Sequence, residues 1–180
     1  MSVLIINITG NQRKFENQFC NDLSSKINAE TKIKDIRGED LLAMQGIDGE
    51  GHEVIVVVGH AGRNGKSNTI LDCGFGWKLL DNPTIFTQLL GNNNKRFILV
   101  YCACSALSPE TLVSGIEDQN CIGVVASRNP VKYTHASIVA EVINLVHEFI
   151  LENNQDIDSL QRNIRNLVKQ YDDYPDFWIF

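Results

Sequence analysis

The sequence predicts an α/β domain of three layers, a mostly parallel central sheet with helices on both faces. Three observations carry this. Apolar, β-branched runs of strand length recur along the chain, as in SVLIINI, HEVIVVVG, RFILVYC and CIGVVAS, the mark of strands buried on both faces. Segments of helical period alternate with them. The chain has 180 residues, 43% of them hydrophobic and 21% charged, which suits one domain with a real core. Residues 1–170 read as that single domain, and residues 171–180 as an acidic, aromatic C-terminal tail.

In chain order, residues 2–8 read as a buried strand, stopped by Gly10-Asn11. Residues 12–27 read as a helix, with Phe15, Phe19, Leu23 and Ile27 at helical spacing. Residues 31–36 suggest a second strand and 38–45 a short helix. Residues 52–59 form the first central strand. The stretch 60–83, rich in Gly, Asn and Ser, is long for a connection; it predicts a functional loop that holds a small hairpin. Residues 84–90 read as helical up to Gly91, and RFILVYC as the second central strand. SPETLVSGIED begins a helix, with Ser108 as N-cap and Pro109 at the first helical position. Residues 121–127 give a third buried strand. A long helix is expected over 134–152, with Ile138, Val142, Leu145, Val146 and Phe149 on its apolar face, and another over 157–170. The tail YDDYPDFWIF is expected to pack its aromatic residues on the core, with a docking or self-blocking role as the lesser alternative.

Composition excludes several roles. A formal net charge of −6 offers no basic footprint for nucleic acid and disfavours anionic membranes. The five cysteines are odd in number and irregularly spaced, with no CxxC pair, which argues against a disulfide framework and for a reducing, cytoplasmic setting or delivery into a reducing host cytosol. The start lacks the basic n-region of a signal peptide, and no segment reaches the ~18 consecutive apolar residues of a membrane span. Asn7-Ile8-Thr9 is a chance match to a glycosylation sequon.

In parallel sheets, ligands meet the carboxyl ends of the strands. The residues that follow the three buried strands are Gly59-His60-Ala61-Gly62, Cys102-Ala103-Cys104-Ser105 and Ala126-Ser127-Arg128-Asn129-Pro130. A thiol needs a nearby base to become a strong nucleophile at neutral pH. His60 and Cys104 lie 44 residues apart, about one crossover, so their strands can be sheet neighbours.

VIVVVGHAGRNG resembles the strand-then-His-Gly segment of caspases, legumains and related members of that cysteine peptidase clan. KRFILVYCACSA resembles their segment in which Ala precedes the nucleophilic Cys, here Ala103-Cys104, and the gap between His and Cys is also similar. GVVASRNPVKYTHAS resembles the later strand and loop that line the substrate pocket. The likeness covers about residues 52–140. It implies a caspase-like fold and a cysteine endopeptidase that needs no cofactor or metal and acts on peptide or protein substrates, with a homodimer or a larger host protein complex as possible assemblies. Carried over, His60 is the general base and acid, Cys104 the nucleophile, and backbone N–H groups near Ala61, Gly62 and Cys104 form the oxyanion hole. Ser127, Arg128 and Ser137 would line the substrate pocket, Arg128 pairing with an acidic side chain. One departure stands out: Ala61 occupies the place where these proteins usually have Gly.

Other readings compete. Cys102 is the alternative nucleophile, since positions 102 and 104 share a face of an extended strand; nearness to the strand tip favours Cys104. A catalytically inactive caspase-like binding or regulatory module is the second hypothesis. The third is an α/β domain that binds a small molecule or nucleotide, for which Gly65-Lys66-Ser67 gives an incomplete phosphate-loop pattern. Cys102 and Cys104 with Cys73, Cys121 or a His fit no standard zinc spacing. His52, His135 and His147 read as ordinary histidines, the last partly buried.

Overall fold

The computed structural model describes residues 2–9, 14–36, 49–63, 69–72, 77–79, 95–102 and 120–179. A six-stranded sheet forms its centre, in the order β2-β1-β3-β7-β8-β9. These strands are β1 (Ser2–Asn7), β2 (Glu30–Asp35), β3 (Val54–Val58), β7 (Phe97–Cys102), β8 (Cys121–Ser127) and β9 (Phe177–Ile179). The first five run parallel, and β9 pairs antiparallel with β8. The fold class is therefore α/β with a mostly parallel sheet.

The pattern of burial follows from side-chain alternation along each strand. Val3, Ile5, Val54, Val56, Val58, Ile98, Val100 and Cys102 share one apolar cluster with helices α1 (Lys14–Lys26), α2 (Ala136–Leu151) and α3 (Ile157–Val168). Their neighbours Leu4, Ile6, Ile55, Val57, Leu99 and Tyr101 point the other way and are also buried. Both faces of the central strands are thus dry, which is why β3 and β7 read as unbroken apolar runs. Fully burying one such side chain stabilises by about 1.5–3 kcal/mol. The helices expected over 38–45, 84–90 and 108–118 lie outside the described residues.

The helical stripes hold with one exception each. On α1, Phe19 and Leu23 are buried, as is Ile27 just beyond its end, but Phe15 is 62% exposed. On α2, Ile138, Val142, Val146 and Phe149 are buried, while Leu145 is only partly so. The helix expected to begin near residue 134 opens as a 3-10 turn at Tyr133–His135 before α2 proper. Together, Tyr133–Leu151 are long and apolar enough, by length and composition, to cross a membrane, contrary to the expectation that no segment is. The buried stripe of α2 shows where that apolarity goes: it packs on the sheet and on α1 and α3.

Between β3 and β7 the chain leaves the main sheet and makes a second, antiparallel one from β4 (His60–Arg63), β5 (Thr69–Asp72) and β6 (Trp77–Leu79). The hairpin foreseen in this stretch is therefore present, with a third strand added. Of the aromatic residues of the tail, Phe177 is fully buried and Tyr171 and Tyr174 pack against the cluster, whereas Trp178 is not part of it and Phe180 lies outside the described residues. Phe177 lies in strand β9, which covers the edge of β8.

Candidate functional site at the carboxyl ends of β3 and β7

β3 and β7 are direct neighbours, and their last paired residues are Val58 and Cys102. Gly59 extends the ladder by one bond, its N–H donating to the Cys102 carbonyl at 3.3 Å. His60 comes next and starts β4. Ala61 and Gly62 continue that strand, paired with Leu71 and Ile70. Cys104, two residues beyond Cys102, lies outside the described residues, as does the segment Gly65-Lys66-Ser67.

A cavity of about 680 Å³ opens at this rim. The strand ends Val58, Gly59 and Cys102 form its floor. One wall is the first turn and a half of α1, with Lys14, Phe15, Glu16 and Phe19; the other is the chain after β8, from Pro130 to Thr134. Phe15 and Tyr133 stack at its edge, their ring centroids 5.5 Å apart and their planes 27° from parallel. Both rings are mostly exposed, at 62% and 60%.

Cys102 is 3% exposed. Burial, with Cys20 beside it, pushes its thiol far above the ordinary cysteine value. A thiol held protonated is a poor nucleophile, so the environment of Cys102 disfavours the role of alternative nucleophile and suits an apolar wall. Cys121 pairs with Phe97, at the opposite end of β7 from Cys102. Five residues of strand put these two thiols roughly 16 Å apart along the sheet, so they cannot share a zinc ion. Cys73 lies outside the described residues.

The segment after β8 borders the cavity, but through other residues than Ser127, Arg128 and Ser137. Ser127 is buried, and its Oγ accepts the Asn129 N–H at 3.2 Å, closing a local turn. Arg128 lays its guanidinium 3.9 Å from the centroid of Trp178, and Arg165 approaches the same ring at 4.0 Å. Two guanidinium groups that close to one centroid occupy opposite faces of the ring. The Arg128 N–H also donates to the Asp176 carbonyl at 3.0 Å. Ser137 is an exposed residue in the first turn of α2.

The wall of the cavity is tied to the tail. Lys132 donates to Asp173 at 2.7 Å, and this hydrogen bond holds the Asp173 carboxyl below its ordinary value. His135 is 3% exposed; its Nδ1 accepts the Lys132 N–H at 3.1 Å, and its Nε2 lies 3.6 Å from Asp173. His52 sits at the other end of the sheet, where its Nδ1 meets the Ser2 hydroxyl at 2.7 Å. His147, half-buried on α2, has its pKa lowered by burial.

Sequence reasoning thus missed Phe15 and Tyr133. Phe15 falls on the same helical stripe as Phe19 and reads as core. Only the exposure of its ring, and the partner 118 positions away in sequence, distinguish it. No protein-family model matches this chain, and no curated protein matches it.

Proposed function

We propose that the chain is a caspase-like cysteine endopeptidase in which Cys104 is the nucleophile and His60 the general base and acid. The observation that carries this reading is the level pairing of Val58 with Cys102. His60 and Cys104 each stand two residues beyond that pair. Neighbouring parallel strands lie about 4.8 Å apart, so the segments that carry His60 and Cys104 leave the main sheet from adjoining strand ends, at the cavity's floor.

In the proposed reaction His60 takes the Cys104 proton, and the thiolate attacks the carbonyl carbon of the scissile peptide bond. The tetrahedral oxyanion is stabilised by backbone N–H groups of the Ala61, Gly62 and Cys104 region. As the C–N bond breaks, the His60 imidazolium protonates the leaving amine, and a thioester to Cys104 remains. Water, deprotonated by His60, then attacks the thioester and frees the acid and the thiol. The chemistry uses no cofactor. It needs a reduced thiol, which fits a cytosolic setting; Cys20 and Cys102 are free thiols.

The test is labelling by a peptidyl chloromethyl ketone, read by mass spectrometry of tryptic fragments, alongside cleavage of a fluorogenic peptide library. Label is expected on Cys104, with labelling and cleavage lost in Cys104→Ala and slowed by about 100-fold or more in His60→Ala. Unchanged cleavage by Cys104→Ala overturns the reading. A Cys104 that is never labelled, in a protein that cleaves nothing, leaves the inactive caspase-like module in its place.

A further inference from the structure

We infer that the cavity at the ends of β3 and β7 receives one large apolar side chain, aromatic or branched aliphatic, from an extended peptide. That the ligand is a peptide rests on the peptidase reading; the chemistry of the side chain rests on the cavity itself.

The depth of the cavity is apolar. Phe19, Val58 and Cys102, each at most 5% exposed, line it with Val131 and Pro130. A carboxylate or ammonium group placed there would lose its water and gain no buried partner of opposite charge among the described residues. Among the described residues, the charged members of the lining are Lys14, Glu16 and Lys132. They are of mixed sign, and Lys132 is engaged by Asp173 at 2.7 Å, so the wall offers no concentrated field for an acidic or a basic side chain. Arg128, the residue that would answer an acidic group, stacks on Trp178 and is not part of the lining.

The edge carries the second argument. Among the described residues three large hydrophobic side chains are exposed: Phe15, Tyr133 and Leu151. Two of the three are stacked on each other at this opening, which concentrates exposed aromatic surface at one place. Exposed apolar surface gathered beside a concave site marks binding rather than chance. The volume, about 680 Å³, lies within the roughly 300–1,000 Å³ of small-ligand sites, so a bulky side chain enters with adjoining backbone.

Acetyl-Ala-Ala-X-amide peptides with X = Phe, Leu, Asp or Lys test this by titration against full-length Cys104→Ala protein, followed by NMR. The Phe and Leu peptides are expected to bind at least about tenfold tighter than the Asp and Lys peptides. Tyr133→Ala, a change at an exposed site that leaves the core intact, should weaken the Phe peptide several-fold and leave the Asp peptide unchanged. Val131→Trp, which fills the cavity, should abolish the preference. Equal binding of all four peptides, no binding of any, or a preference that neither variant alters overturns the inference. Cleavage of the same peptides by the wild-type chain separates the two ideas. A Phe peptide bound but never cut keeps the apolar site and removes the peptidase. Cleavage without apolar preference keeps the peptidase and removes the apolar site.

Discussion

Val58 and Cys102 face each other across the last rung of the β3–β7 ladder, and both side chains turn toward the layer of α1 and α2. This level ending makes the rim a shared shelf for the two segments that follow. It also buries the Cys102 thiol in the floor of the cavity, with Cys20 of α1 nearby in the same apolar cluster.

The thiols of the folded protein should therefore fall into distinct classes. Burial, with Asp35 and Glu16 adding to it, pushes Cys20 up to about 12, and Cys102 is raised further. At pH 8 their thiolate fractions are very small, and bulky disulfide reagents cannot reach them. Ellman's reagent is expected to leave both unmodified for hours in buffer and to modify both at once in urea. Modification of native Cys102 at the rate of free cysteine would restore it as a candidate nucleophile.

Asn7 closes a buried polar knot at the end of β1. It is 0% exposed. Its Nδ2 donates to Asn17 at 2.6 Å and to Asp35 at 2.9 Å, and its Oδ1 accepts from the Thr9 hydroxyl at 2.7 Å and the Thr9 N–H at 3.2 Å. Asn7→Ala takes an acceptor from the buried Thr9 hydroxyl and N–H, at a cost of about 1–3 kcal/mol each, and a donor from the half-buried Asn17 and the exposed Asp35, which water can replace. Unfolding by urea should show a loss of about 2–4 kcal/mol in total. A loss below about 0.5 kcal/mol would mean that water replaces the amide without penalty. The same burial keeps the Asn-Ile-Thr sequon out of reach of glycosylation in the folded chain.

The link from Lys132 to Asp173 has a definite pH sense. The folded-state pKa of Asp173 is lowered from its ordinary 3.8. Its contribution to stability is therefore complete above the unfolded value and disappears as pH falls through the lowered one. Asp173→Asn is expected to lower the melting temperature slightly at pH 7, by no more than about 2 °C for an exposed pair. The gap between variant and wild type should close as pH falls below the lowered value, and 1 M salt should narrow it at pH 7. Carboxyl-carbon NMR titration reads the same group directly; an Asp173 midpoint above 3.8 would contradict the hydrogen bond.

Much of the frame was legible because burial on both faces leaves a plain mark. Val54–Val58 and Phe97–Cys102 are apolar at every position or nearly so, and no exposed strand is written that way. The stripe of α2 was legible for a similar reason, since the helix packs one face on the sheet along most of its length. From sequence β9 reads as a tail because a strand of three residues, Phe177–Ile179, has too short a period to stand out from an aromatic cluster. Its pairing with β8 comes from a neighbour remote in sequence. From sequence Phe15 reads as core because helical periodicity reports which side of a helix a residue occupies, but not where the partner layer ends.

By itself, then, the order of residues determined the α/β class, the central strands and the two segments, at His60 and at Cys102 to Cys104, that follow them. Those properties arise from local period and local apolarity. Tertiary structure alone decided that β3 and β7 adjoin and end level, that Phe15 meets Tyr133 over a cavity, and that Arg128 turns to Trp178 instead of into it. Register and side-chain pairing between distant segments depend on how the layers pack in three dimensions, and no local run of the chain carries that information.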